Sequence, residues 1–141
     1  MALSYPHRVT LDENEKVLSF EDGMKMTFKA GSFEESFQVT IDKIDGQEVN
    51  GNRPVSSAYI FKDIKGIEPD KLPVKPLHPA VAVVPILVTD TVSTALTLGT
   101  NPGEHPAPDN WTPRPDDIGP PRDGKTTITL GTLETFELLS E

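Results

Sequence analysis

Residues 24–42, MKMTFKAGSFEESFQVTID, hold the two clearest strand patterns in the chain. On both sides of the short connection at residues 30–32, apolar residues alternate with polar ones: Met24, Met26, Phe28, Phe37, Val39 and Ile41. A period of two with one apolar face is typical of a strand that is buried on one side. Two strands that lie side by side in one sheet cannot bury these faces against each other, so a second layer must cover them. The stretch predicts two paired strands in a two-layer β fold.

Short apolar runs separated by turn residues continue along the rest of the chain. They predict further strands at residues 16–20, 57–62, 80–89, 92–98, 125–130 and 133–139. The last run also fits one helical turn, but the alternation before it favours a strand. Asp45-Gly46 and the turn residues at 89–91 predict two hairpins. We therefore expect an all-β chain, with an antiparallel β-sandwich or barrel-like fold of about eight strands in one domain over residues 1–141.

Prolines mark the segments that should lie outside the regular strands. Those between residues 65 and 79 predict an extended loop that crosses from one sheet to the other, since proline cannot donate to a ladder. Pro85 predicts a bend or bulge within residues 80–89. Half of the 14 prolines lie between residues 101 and 123, so residues 99–124 are predicted to form a long proline-rich loop or arm. Pro6 interrupts the first apolar residues, and residues 1–15 are predicted to form an N-terminal arm.

Charge and composition exclude several classes of partner. The 141 residues carry a net charge of -9, which argues against nucleic acid or an anionic membrane, because both attract a basic face. No apolar run reaches the roughly 18 residues of a membrane span, and no signal-peptide pattern is visible at the start. The chain has no cysteine, which excludes disulfides, thiol catalysis and thiolate metal sites.

No pattern of catalytic residues is present, and we expect a protein that is not an enzyme and needs no cofactor. The three histidines, His7, His78 and His105, lie far apart and outside any metal-binding spacing. A nucleophilic serine would need a base and an oxyanion site, and no Gly-x-Ser-x-Gly occurs. Acidic clusters could bind calcium, but none matches an EF-hand loop, so solvated acidic turns are the favoured interpretation.

Trp111, the single tryptophan, admits two interpretations. It could anchor the proline-rich loop onto its own domain, because a large ring with one polar N–H is usually buried. It could instead be a contact residue for another chain, where tryptophan is favoured. Tyr5, His105, Trp111 and Arg114 form the set of residues predicted to bind a partner.

Several short motifs resemble the β-sandwich domain shared by ankyrins and netrin receptors, and its bacterial look-alikes. They are spread over residues 20–139: TFKAGSF at 27–33, VTI at 39–41, AYIF at 58–61, the proline-led run at 79–87, Trp111 and FELL at 136–139. Members of that family that cleave themselves do so at His-Phe-Ser, and the corresponding residues here are Glu134, Thr135 and Phe136. The resemblance implies a protein-binding or structural sandwich without self-cleavage.

The functional hypothesis is a non-catalytic structural or interaction protein that attaches to or builds a larger protein assembly. Its most concrete form, by analogy with small acidic β-rich proteins, is a decoration protein on the surface of a viral or phage capsid. Residues 1–9 and 101–123 would then reach neighbouring molecules, and the chain would form a homo-oligomer such as a trimer. The alternative is a soluble protein- or ligand-binding module of a cell-surface adhesin or a scaffold, in the cytoplasm or at the cell surface.

Overall fold

The computed structural model describes residues 2–87, 96–102, 110–114 and 117–140. These residues form mainly strands, and Pro69–Lys71 form a short 3-10 turn. The strands are β1 His7–Leu11, β2 Lys16–Ser19, β3 Lys25–Phe28, β4 Phe37–Ile44, β5 Arg53–Pro54, β6 Ala58–Lys65, β7 Ala80–Pro85, β8 Leu96–Asn101, β9 Thr112–Arg114, β10 Lys125–Leu130 and β11 Thr135–Ser140.

The strands lie in two antiparallel sheets, which confirms the predicted all-β, sandwich-like fold. The seven-stranded sheet has the order β1-β4-β6-β11-β8-β9, and the short β5 also pairs with β11. The four-stranded sheet has the order β10-β7-β3-β2. The structure has 11 described strands where about eight were predicted. The additional strands include the two-residue β5 and the three-residue β9, which are too short to show a period of two.

The strand pair predicted for residues 24–42 is wrong, because β3 and β4 lie in opposite sheets. Their connection crosses the sandwich, and the ring of Phe33 lies 5.8 Å from that of Phe28 and 5.1 Å from that of Phe37. Strands of facing sheets meet face to face, so β3 and β4 help to bury each other's apolar residues. A period of two indicates which side of a strand is buried, but it does not specify which strand lies beside it.

Most buried side chains fill the space between the sheets. The largest of these with almost no exposed surface are Tyr59, Phe28, Phe136, Leu11, Met24, Met26, Ile41, Leu98, Ile128, Leu130 and Leu138. A second, smaller cluster consists of Val49, Ala58, Trp111 and Leu139. Because Leu139 follows Leu138 on one strand, this second cluster lies on the outer face of the seven-stranded sheet.

The predicted N-terminal arm is wrong for residues 7–11, which form β1 and pair with β4 from His7 opposite Ile41 to Leu11 opposite Phe37. Upstream of β1, the backbone N–H of Leu3 donates to the carbonyl of Ser19, and the carbonyl of Leu3 accepts the backbone N–H of Glu21. Pro6 precedes the strand, so its missing N–H falls outside the ladder and does not prevent pairing. The segment expected to reach neighbouring molecules therefore packs on its own domain.

The crossing loop predicted at residues 65–79 is confirmed, since β6 and β7 lie in different sheets. The hairpin at Asp45-Gly46 is not formed: β4 pairs with β6, and the tight turn of the intervening loop lies at Asn50 and Gly51. Both turn residues have positive φ, 51° and 85°, which suits a two-residue turn.

The second predicted hairpin, between residues 80–89 and 92–98, is also wrong. β7 belongs to the four-stranded sheet and ends at Pro85, whereas β8 pairs with β11 and β9 in the other sheet. Residues 88–95 of this prediction lie outside the described residues. A tight turn joins two strands that lie side by side in one sheet, whereas strands in different sheets need a longer connection. The turn residues at 89–91 therefore predicted the wrong partner for each strand.

Candidate interaction surface

A groove with a volume of about 320 Å³ lies between the crossing loop and the connection from β3 to β4. We call it the crossover groove. Its apolar lining includes the buried rings of Phe33 and Phe37 and the buried side chain of Val74. Its remaining lining includes charged side chains from both segments: Glu34, Glu35, Lys71 and Lys75. The groove therefore combines an apolar surface with acidic and basic groups.

Leu77 lines the crossover groove with 62% of its surface exposed. Its backbone is nevertheless held in place, because its N–H donates to the carbonyl of Ser32 at 2.8 Å. Three residues earlier, the carbonyl of Val74 accepts the N–H of Leu133 at 2.8 Å. Hydrogen bonds thus attach the crossing loop to the β3–β4 connection and to the β10–β11 connection, and the loop presents an apolar side chain to solvent.

A second cavity of about 220 Å³ lies at the side of the sandwich where β9 and β10 form the sheet edges. We call it the lysine–arginine cleft, because Lys75 and Arg114 both line it, with Asp117 as its acidic residue. Its other lining residues are Leu98, Thr100, Thr129, Leu130, Gly131 and Thr132. Lys75 also lines the crossover groove, so the two cavities are neighbours.

Tyr5 belongs to a partly buried hydrogen-bond network near the N-terminal segment. Its hydroxyl donates to Asp22 Oδ1 at 3.1 Å, and the hydroxyl of Tyr59 donates to Asp22 Oδ2 at 3.0 Å. Lys43 lies 3.5 Å from the same carboxylate and 5.0 Å from the centre of the Tyr5 ring. Burial raises the pKa of both tyrosines far above its ordinary value, and the charge of Asp22 raises it further. The network ties residue 5 to its own domain.

Trp111 packs on the outer face of the seven-stranded sheet with 7% of its surface exposed. Its Nε1–H donates to Gln47 Oε1 at 3.0 Å. A Cβ at Gly99 would lie 3.3 Å from the indole, so the ring rests directly on the backbone of β8. This is the packing expected from the first of the two interpretations, in which Trp111 anchors its loop to its own domain.

Glu137 is completely buried on that same outer face. The backbone N–H of Gln47 donates to its carboxylate at 2.9 Å. Burial raises the pKa of Glu137 to about 7, and the hydrogen bond from Gln47 opposes this shift. Sequence reasoning missed this residue, because an acid between Phe136 and Leu138 has the position of an outward, solvated side chain.

The residues predicted to bind a partner do not meet at one site in the described structure. Tyr5 contacts Phe20 and Tyr59 of the main core, whereas Trp111 packs on the opposite side of the seven-stranded sheet. Arg114 is exposed on the edge strand β9. His105 lies outside the described residues.

Among the described residues, no group of three or more acidic or histidine side chains is placed to hold a metal ion. The same part of the chain has no helix with the length and apolar character needed to cross a membrane. Comparison with protein-family models and with curated protein sequences gives no match. The resemblance to the ankyrin and netrin-receptor sandwich stays a prediction.

Proposed function

We propose that this chain is a non-catalytic interaction module that binds another protein at the crossover groove. The observation that carries the proposal is the position of Leu77, an exposed apolar side chain on a loop whose backbone is hydrogen-bonded in place. A single exposed leucine is common on protein surfaces, but Leu77 adjoins the apolar lining formed by Phe33, Phe37 and Val74, and a contiguous apolar surface of this kind marks a protein contact. A loop that is already ordered loses little conformational freedom on binding, which favours affinity.

The lining of the groove indicates which partner surface it would accept. Phe33, Phe37 and Val74 offer an apolar floor, where an aliphatic or aromatic side chain of the partner would be desolvated. Lysines and glutamates lie around this floor and would set the orientation of the partner through complementary charges. The groove thus suits a short segment with one apolar anchor and polar neighbours.

The non-catalytic part of the proposal is supported by the roles of the three groups whose pKa values are raised, Tyr5, Tyr59 and Glu137. Tyr5 and Tyr59 share the carboxylate of Asp22, and Glu137 holds the backbone of Gln47. These contacts join separate strands and loops and account for the shifted pKa values as structural consequences of burial. Tyr5, Tyr59 and Glu137 do not line the crossover groove.

Attachment to a larger protein assembly, a phage capsid in the most concrete version, remains a prediction from the sequence. Sedimentation equilibrium over a wide concentration range tests the homo-oligomer that it includes. A closed trimer would favour a subunit that matches the symmetry of a shell. A monomer at every concentration would favour the stand-alone binding module.

The binding proposal is tested with selected peptides. Random 12-residue peptides displayed on phage are selected on the wild-type chain, and their affinities are then measured for the variants Leu77→Asp and Leu87→Asp. Leu87 is a matched control, because it is 64% exposed and does not line the crossover groove. We expect selected peptides to contain an aliphatic or aromatic residue and to lose about tenfold or more in affinity with Leu77→Asp.

Leu87→Asp should change the affinity by less than about twofold, since surface changes away from a contact have small effects. Thermal melting of both variants verifies that the fold is intact. Equal binding of the selected peptides to wild type and Leu77→Asp would overturn the proposal. So would a loss of affinity that is the same for both variants.

A further inference from the structure

We propose that the lysine–arginine cleft is a carboxylate-binding site. This inference concerns a second cavity and does not depend on the partner proposed for the crossover groove. The ligand would be any molecule that presents one carboxylate with a short apolar stem, either a free small acid or an acidic side chain of a bound protein. The cleft has the cations, hydroxyls and apolar walls that such a group requires.

Arg114 is oriented for this role by Thr100. The guanidinium Nε donates to Thr100 Oγ1 at 3.4 Å, which holds one edge of the guanidinium against β8. Within the described part of the chain, the terminal Nη groups of Arg114 have no hydrogen-bond acceptor and no carboxylate at ion-pair distance. A guanidinium with free N–H groups in one plane matches a carboxylate, which accepts two parallel hydrogen bonds from it.

Lys75 supplies a second positive charge to the same cleft. It is exposed, and it too forms no ion pair with a described residue. The chain as a whole carries 22 acidic residues against 13 basic ones, so a cleft lined by two cations and one acid departs from the general surface. With Asp117 included, the formal charge of the lining is +1, which favours a singly charged anion over a doubly charged phosphate.

The remaining lining residues fit the rest of such a ligand. Thr100 accepts from Arg114, so its own hydroxyl hydrogen can be donated to a ligand oxygen. The hydroxyl hydrogen of Thr132 is not free for a ligand in the same way, because it already donates to Glu134 Oε1 at 2.8 Å. Leu98 and Leu130 belong to the main core and form an apolar wall. A volume of about 220 Å³ has room for an aspartate or glutamate side chain.

The test is an amide chemical-shift titration of the ¹⁵N-labelled chain at constant ionic strength. The probes are N-acetyl-aspartate N-methylamide, the matched neutral N-acetyl-asparagine N-methylamide, acetate and inorganic phosphate. We expect the aspartate probe to give saturable shifts at Thr100, Arg114 and Thr132, with a dissociation constant on the order of millimolar, as a few charge-assisted hydrogen bonds allow. If acetate binds as strongly as the aspartate probe, the ligand is a free small acid. If acetate binds more weakly than the aspartate probe, the ligand is an acidic side chain of a peptide or protein.

Arg114→Gln should weaken the binding of the aspartate probe by about tenfold or more, because it removes the charge and the paired donors. Arg122→Gln is the matched control, since Arg122 is exposed and lines a different cavity. Leu77→Ser, which removes the exposed apolar side chain without adding a carboxylate near Lys75, should leave the aspartate titration unchanged, and this separates the result from that of the peptide experiment. Shifts that are equal for the asparagine probe, tighter binding of phosphate than of the carboxylates, or unchanged binding by Arg114→Gln would each overturn the proposal.

Discussion

The carboxylate of Glu137 lies 2.9 Å from the backbone nitrogen of Gln47, a residue 90 positions earlier in the chain. The side chain of Gln47 in turn accepts the indole N–H of Trp111 at 3.0 Å. Three distant segments therefore meet on the outer face of the seven-stranded sheet. Gly46 permits the close approach, because a Cβ there would lie 2.5 Å from the carbonyl oxygen of Ser56 and 2.9 Å from Glu137 Oε2.

The buried carboxylate should make the stability of the protein depend on pH. Burial raises the pKa of Glu137 from an ordinary value of 4.5 to about 7, so the folded chain keeps a proton there that the unfolded chain has lost. The stabilisation is fully present below pH 4.5 and is lost as the pH rises to about 7. The shift corresponds to about 3 kcal/mol of unfolding free energy across that window.

Glu137→Gln removes this titration, and we expect it to be more stable than wild type at pH 8 and closer to it at pH 5. Urea unfolding at both pH values measures the difference. Glu15→Gln, which changes an exposed glutamate in the turn before β2, controls for the loss of one negative charge. The assignment would be wrong if the stability difference between Glu137→Gln and wild type were the same at both pH values.

Trp111 should matter more for folding than for binding. Trp111→Ala removes a buried ring and the hydrogen bond to Gln47, and we expect it to lower the unfolding free energy by about 3 kcal/mol. Trp111→Phe keeps most of the packing and should cost less, about 1–2 kcal/mol, because it leaves the Gln47 acceptor without its donor. Urea unfolding followed by circular dichroism compares the three chains.

The alternative interpretation of Trp111, as an anchor on another chain, predicts a different result. Trp111→Ala would then unfold at the same urea concentration as wild type and would lose affinity for peptides selected on the wild-type chain. The single tryptophan also provides a direct probe, since its emission should shift to longer wavelength only when the chain unfolds.

The ionisation of the tyrosine hydroxyls can be measured directly and tests whether they are buried. The chain has two, Tyr5 and Tyr59, and burial beside Asp22 raises the pKa of both far above its ordinary value. Alkaline titration followed by tyrosinate absorbance should show no ionisation until the protein unfolds. In concentrated urea, both should ionise with a pKa of about 10.

Asp22→Asn tests the network from its centre. It removes the charged acceptor of both hydroxyls and should lower the unfolding free energy by about 2 kcal/mol. Asp45→Asn, at an exposed acid, should have little effect on stability. Ionisation of one tyrosine near its ordinary pKa in the folded chain would show that the N-terminal segment is not held by Asp22.

Much of the fold was predictable because strand patterns are local. The alternation in residues 125–130 predicted a strand that matches β10, and the strand favoured at residues 133–139 largely matches β11. The prolines at residues 65–79 likewise predicted the loop that crosses between the sheets. The pairing of β3 with β7 and of β4 with β1 and β6 was not predictable, because the same alternation fits many neighbours.

The sequence by itself determined an acidic, cysteine-free, all-β chain, since charge, composition and a period of two are properties of neighbouring residues. Only the tertiary structure decided that Glu137 is buried, because its cover is a loop 90 residues away. It also decided that Trp111 packs on its own domain and that Lys75 and Arg114 share one cleft. These features depend on which distant segments meet, and that is set by the packing of the two sheets as a whole.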